Sequence, residues 1–283
     1  MSKDSSKPPL TKTQRLSNWA MDQLDPRRKT KKVDSKKIAL KSLSFGPVAA
    51  IAITIGSYLL AALSASVAVG LYPAIKGWDA ARTEEWLANS NFAQFFFYVT
   101  TAAVTLLVLR YFLKMRNQKI DQLGVEKPRK VDVLYGAGIF PIYFVLLVII
   151  TMFVSQFIPA VDITQKQELG FVSVSGIELI LVFISLVLLP PLVEEFLFRG
   201  VLFTGLRKKL PFLVTAGIVS VIFGSLHLGA SSSGPLWIAA IDTTLLSFVL
   251  CYLREKTGSI WAGVLVHFLK NSLAFIGLFL INQ

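Results

Sequence analysis

Glu194, Glu195, Arg199, His227, His267 and Asn271 are the residues of this 283-residue chain whose types and spacing suit chemistry. The first three stand in Glu194-Glu195-Phe196-Leu197-Phe198-Arg199. Adjacent helical residues point about 100° apart, so the two carboxylates cannot share a face. Arg199, four residues after Glu195, does share its face, and the spacing predicts an intrahelical ion pair. Glu194 is then left over, which divides the acids into one structural and one chemical carboxylate. A plain charge cluster ending a helix is the competing explanation. Glu194 lies 16 residues before Leu210 and His227 lies 17 after it. If a turn near Leu210-Pro211 joins two antiparallel helices, both reach a level about 24 Å from that turn. The alternative use of such a histidine is a hydrogen bond between helices. His267 and Asn271, four apart, share a helical face and can aim two donors at one point, as an oxyanion hole requires; they can equally tie helices together. The chain holds two histidines, so chemistry that needs imidazole must use these.

The elements that position these residues are membrane helices. Apolar residues make up 54 % of the chain, charged residues 16 %, and mean hydropathy is +0.61. A soluble domain carries about 25 % charged residues. This balance argues against a soluble enzyme, a nucleic-acid-binding module and a disordered protein, despite a net charge of +12. The single Cys251 excludes a disulfide framework, a CxxC zinc site and an iron–sulfur cluster. Apolar stretches near the roughly 20 residues needed for a span occur at 45–72, 92–113, 133–158, 177–206, 211–229, 235–253 and 260–281. The expected fold is an all-α polytopic bundle of seven spans, or eight if Pro190-Pro191 splits the fourth.

Charges between the spans alternate. Residues 1–44 hold twelve Lys/Arg and four Asp/Glu, 73–91 two and three, 110–132 seven and three, and 159–175 one and two. Residues 199–211 carry four basic residues and no acid, 230–234 carry no charge, and 254–256 are Arg, Glu, Lys. The positive-inside rule sets the N-terminus in the cytoplasm. Trp78, Trp86, Trp237 and Trp261 fall near span ends, where indoles suit the interface. The chain thus divides into a basic, largely disordered tail (1–44), three spans (45–158) and a four-span core (177–281) holding every motif. The tail sets topology or docks on anionic lipid. The short loops and basic tail suit a prokaryotic plasma membrane.

Ionisable groups inside a membrane are costly and mark function by default. Asp242 and Lys270 have a plainer use. Each lies about 14 residues from the turn near 256–257, so they match in level and predict a structural ion pair. The same counting leaves a mismatch: His267 is only about 10 Å past the start of the last span. The two halves of a site meet only if helices tilt or the 254–260 loop dips inward.

Taken together, Glu194-Glu195-Phe-Leu-Phe-Arg199, Phe223-Gly-Ser-Leu-His227 and His267-Phe-Leu-Lys-Asn271 resemble the EExxxR, FxxxH and HxxxN motifs of the CPBP family of CAAX proteases and bacteriocin-processing enzymes, also called ABI. The resemblance spans about residues 177–281. It implies a glutamate-type intramembrane endopeptidase without a cofactor, acting on membrane-associated or lipidated peptides. Glu194 is then the general base, His227 helps hold the water, and His267 with Asn271 stabilises the oxyanion. Glu195 and Arg199 brace the helix, and Phe223 packs on His227. Two other classes stay open: a zinc peptidase with Glu194, His227 and His267 as ligands, and a non-enzymatic immunity, scaffold or transport protein.

Overall fold

The structure, a computed structural model, describes residues 43–158, 161, 170–171, 174–231 and 234–281. The basic tail's first 42 residues, with the lipid-docking role expected of them, lie outside the described residues.

The regular structure of the described residues is helical apart from one antiparallel pairing of Ala230–Ser231 with Gly234–Pro235. In chain order the helices are α1 (Pro47–Ile75), α2 (Ala80–Asn89), α3 (Asn91–Met115), α4 (Lys130–Phe157), α5 (Ile177–Arg207), α6 (Phe212–Ser225), α7 (Trp237–Thr257) and α8 (Trp261–Ile281). Six of them, all but α2 and α6, are long and apolar enough to cross a membrane. Much of their apolar surface faces outward, with Leu63, Leu107 and Phe153 each more than 60 % exposed. Such faces are stable against lipid and not against water, and the protein is an integral, multi-pass membrane protein.

Two of the expected spans differ in detail. The fifth ends early: α6 has 14 residues, about 21 Å at 1.5 Å per residue, against a hydrocarbon core of about 30 Å. Its last turn tightens, with His227 N–H donating to Gly224 O at 3.0 Å. The Phe223 carbonyl, released by that tightening, accepts instead from the His227 ring at 2.8 Å. The fourth is not split. Pro190 and Pro191 lack amide hydrogens and would strand carbonyls one turn back. A π-helical turn, Ile184–Leu188, precedes them and the helix continues as one rod. A second π-helical run, Glu195–Phe203, begins at the second carboxylate. The sequence pattern gave no sign of α2, a short amphipathic helix. The Asp79 side chain caps it by accepting from Arg82 N–H at 2.8 Å.

The basic connections gather at one end. Lys208 Nζ donates to Leu43 O at 3.1 Å, Arg207 pairs with Glu255 at 2.7 Å, and Arg129 donates to Thr257 O at 2.6 Å. The 254–260 turn dips inward. Ile260 N–H donates to Gly124 O at 3.0 Å, and Arg254 Nε reaches Arg199 O at 3.3 Å. The turn is thus tied to Arg207 through Glu255 and, deeper, to Arg199 through Arg254; His267 reaches Glu195 at 3.3 Å, so the mismatch expected for it does not arise.

Close helix contacts use small residues. A Cβ added at Gly224 would lie 2.9 Å from the Ala240 carbonyl of α7 and against the Thr244 hydroxyl. Gly224→Val forces α6 from α7 three residues before His227. It is expected to destabilise the protein by about 1–3 kcal/mol, read as a lower unfolding midpoint in detergent.

Candidate active site

Arg199 Nη1 donates to Glu195 Oε1 at 3.0 Å, and both side chains are fully buried. This is the ion pair that the spacing predicted. A second donor meets the same oxygen: His267 Nδ1 lies 3.3 Å from Glu195 Oε1. Glu195 is thus a tie between α5 and α8 as well as a brace within α5. Room for it comes from Gly263, one turn before His267, where an added Cβ would stand 2.8 Å from Glu195 Oε2. Nothing in the motif pattern singled out Gly263. The signal was a glycine at i−4 from a motif histidine, on the face that must accept a carboxylate.

Glu194 points elsewhere, as two adjacent helical residues must. Its Oε2 is 3.9 Å from His267 Nε2, too long for a hydrogen bond, and no described residue hydrogen-bonds it. The imidazole of His267 therefore sits between two carboxylates, bonded to one and facing the other.

Phe223 is the packing centre. Its ring meets the Phe198 edge at 4.9 Å, the Arg199 guanidinium at 4.8 Å, His227 at 4.7 Å and His267 at 6.0 Å. Its backbone carbonyl also fixes His227, because a carbonyl only accepts. Nδ1 of His227 therefore carries the proton, and Nε2 is left as an acceptor. The sequence pattern put Phe223 beside His227; its contacts with Arg199 and His267 were not legible there.

Asn271 Nδ2 donates to Leu186 O at 2.8 Å. In an α-helix that carbonyl would accept from residue 190, and in a π-helix from residue 191. Both are proline, so Asn271 satisfies an acceptor the backbone cannot. One amide hydrogen of Asn271 remains. Asp242 and Lys270 form the predicted pair at 3.1 Å, and Tyr143 O–H also donates to Asp242.

One cavity of about 180 Å³ is lined by Glu194, His227, His267 and Asn271. Four residues expected from three separate motifs thus share one space. Lys270 lines it too, as does Tyr98 from α3, which the sequence reading missed. For the zinc alternative, no group of three His, Cys, Asp or Glu side chains suited to a metal ion occurs among the described residues.

Residues 176–273 match the family described as "Type II CAAX prenyl endopeptidase Rce1-like". The CPBP resemblance holds over this segment. A second likeness extends further: "Putative membrane peptidase YdiL" of Bacillus subtilis (strain 168) is 25 % identical over 183 residues, covering 63 % of this chain and 68 % of that protein. No solved structure gives a significant match. The Rce1-like segment holds Glu194, His227, His267 and Asn271, and it leaves out Tyr98. The family is one of CAAX endopeptidases, which supports a membrane endopeptidase activity.

The Glu195–Arg199 pair generates a stability test. Removing one partner of a buried ion pair leaves the other charge uncompensated, at a cost of about 3–5 kcal/mol. Arg199→Ala is expected to destabilise the protein by that amount, read as a lower thermal midpoint in detergent. Adding Glu195→Gln should recover part of the loss, because the stranded charge goes with it.

Proposed function

We propose that the protein is a glutamate-type intramembrane endopeptidase that hydrolyses peptide bonds of membrane-associated or lipidated peptides. One observation carries the reading. Glu194 has a carboxylate oxygen that no described residue hydrogen-bonds, in the same cavity as His227, His267 and Asn271.

Amide hydrolysis needs an activated nucleophile, stabilised negative charge and a proton for the departing amine. Glu194 takes a proton from water as the water oxygen bonds to the scissile carbonyl carbon. The Nε2 acceptor of His227 holds that water's second hydrogen. The carbonyl oxygen becomes the oxyanion, which takes hydrogen bonds from His267 Nε2–H and from the free amide hydrogen of Asn271. With Nδ1 donating to Glu195, a His267 that also donates from Nε2 is the doubly protonated ring, flanked by two carboxylates. Glu194 then returns its proton to the amine nitrogen, the C–N bond breaks, and a carboxylic acid and an amine leave. Arg199, Glu195 and Gly263 act through His267, and Phe223 acts through both histidines.

The substrate class follows from the surroundings. The cavity lies among helices that cross the membrane, so a peptide reaches it from the bilayer or its interface. An apolar anchor, a lipid or a hydrophobic segment, brings the peptide there.

The test compares purified wild type with Glu194→Gln on a library of unmodified and lipidated peptides, with products read by mass spectrometry. Wild-type cleavage that survives chelator and vanishes in Glu194→Gln is expected. Equal cleavage by the variant removes Glu194 as the base, and loss on chelation moves the assignment to a metal enzyme. On a peptide that wild type cleaves, Asn271→Ala is expected to lower kcat about 100- to 1000-fold.

A further inference from the structure

Two hydroxyl residues that no motif predicted line the cavity, Tyr98 and Thr243, and Thr243 spends its proton on the Ala239 carbonyl at 2.6 Å. Tyr98 stands in α3, outside the segment that matches the Rce1-like family, yet lines the space shared by Glu194, His227, His267 and Asn271. Helix α3 packs on the part of α5 that carries Glu194. The ring is held from behind: it stacks on Phe171 with centroids 6.1 Å apart and planes at 16°, and meets the Phe97 edge at 6.2 Å. No hydrogen bond to its hydroxyl is seen among the described residues. A fixed ring with a free donor at its tip is what preorganised stabilisation of an oxyanion requires. There is also a need for it. Asn271 spends one of its two amide hydrogens on the Leu186 carbonyl, so it brings a single N–H to the site.

We propose that Tyr98 is a further catalytic residue, a hydrogen-bond donor to the developing oxyanion beside His267 and Asn271. This rests on the endopeptidase reading above. No proton is transferred: the phenol O–H lengthens towards the oxyanion as the water oxygen bonds to carbon, and relaxes when the C–N bond breaks. The three spans before the matched segment thereby supply a group to the site as well as a support for it.

The test uses full-length protein in detergent and a peptide that wild type cleaves. Tyr98→Phe removes the hydroxyl and keeps the ring on Phe171. It is expected to lower kcat about 100-fold or more with little change in KM, the pattern of an interaction made in the transition state. Tyr58→Phe is the control. Tyr58, in α1, does not line the cavity and is 40 % exposed, so the rates of this variant should stay at the wild-type level. A second readout is affinity for a peptide aldehyde, whose hydrate is tetrahedral. Tyr98→Phe should weaken it while leaving affinity for the matching peptide alcohol unchanged.

An unchanged kcat in Tyr98→Phe overturns the proposal. A raised KM alone also overturns it, in favour of ground-state substrate binding, as does a loss seen in Tyr98→Leu and not in Tyr98→Phe, which is ring packing. Full activity of Glu194→Gln in the same assay defeats the glutamate mechanism and leaves the Tyr98 result to be read separately.

Discussion

The buried Glu195–Arg199 pair is the constraint to which the rest of the site answers. Two full charges inside a membrane protein are tolerable only if each is held by the other and by further polar or π partners. The partners here are the site itself. Glu195 draws in His267 from α8, and Arg199 lies over the Phe223 ring of α6. Phe223 in turn holds His227 by ring contact and by its carbonyl. Satisfying one ion pair thus brings three helices together with both histidines oriented.

Backbone irregularity does the remaining positioning. The prolines of α5 cannot close the turns before them, and the carbonyl they release at Leu186 recruits Asn271. The tightened end of α6 frees the Phe223 carbonyl for His227. In both cases a side chain that could do chemistry completes a backbone hydrogen bond that a regular helix would have made by itself. Such bonds cannot be left open in an apolar surrounding, so they fix orientation firmly and give each residue two uses.

The division between Glu194 and Glu195 was legible because helical angular spacing is local and nearly invariant. For the same reason the Glu195–Arg199 and Asp242–Lys270 pairs could be placed by counting. Counting failed where it assumed straight rods and turns at the membrane edge. His267 looked too shallow for Glu194, yet in the packed bundle, with the 254–260 turn held at Gly124, Arg199 and Arg207, its ring reaches both carboxylates. Gly263 and Tyr98 were invisible for a related reason. A space for a carboxylate, and a hydroxyl arriving from a distant helix, are properties of packing between segments.

What this sequence determined by itself is a helical membrane protein carrying three motifs in order, with one acid paired and one spare. Hydropathy and helical periodicity suffice for that, since each depends only on near neighbours in the chain. The tertiary structure alone decided that α6 stops short of a full span. It also decided that α5 absorbs two prolines without breaking, that His267 stands between both carboxylates, and that α3 adds a tyrosine to the cavity. Those outcomes depend on which long-range partners satisfy buried charges and unpaired carbonyls, and such partners exist only once the helices have packed.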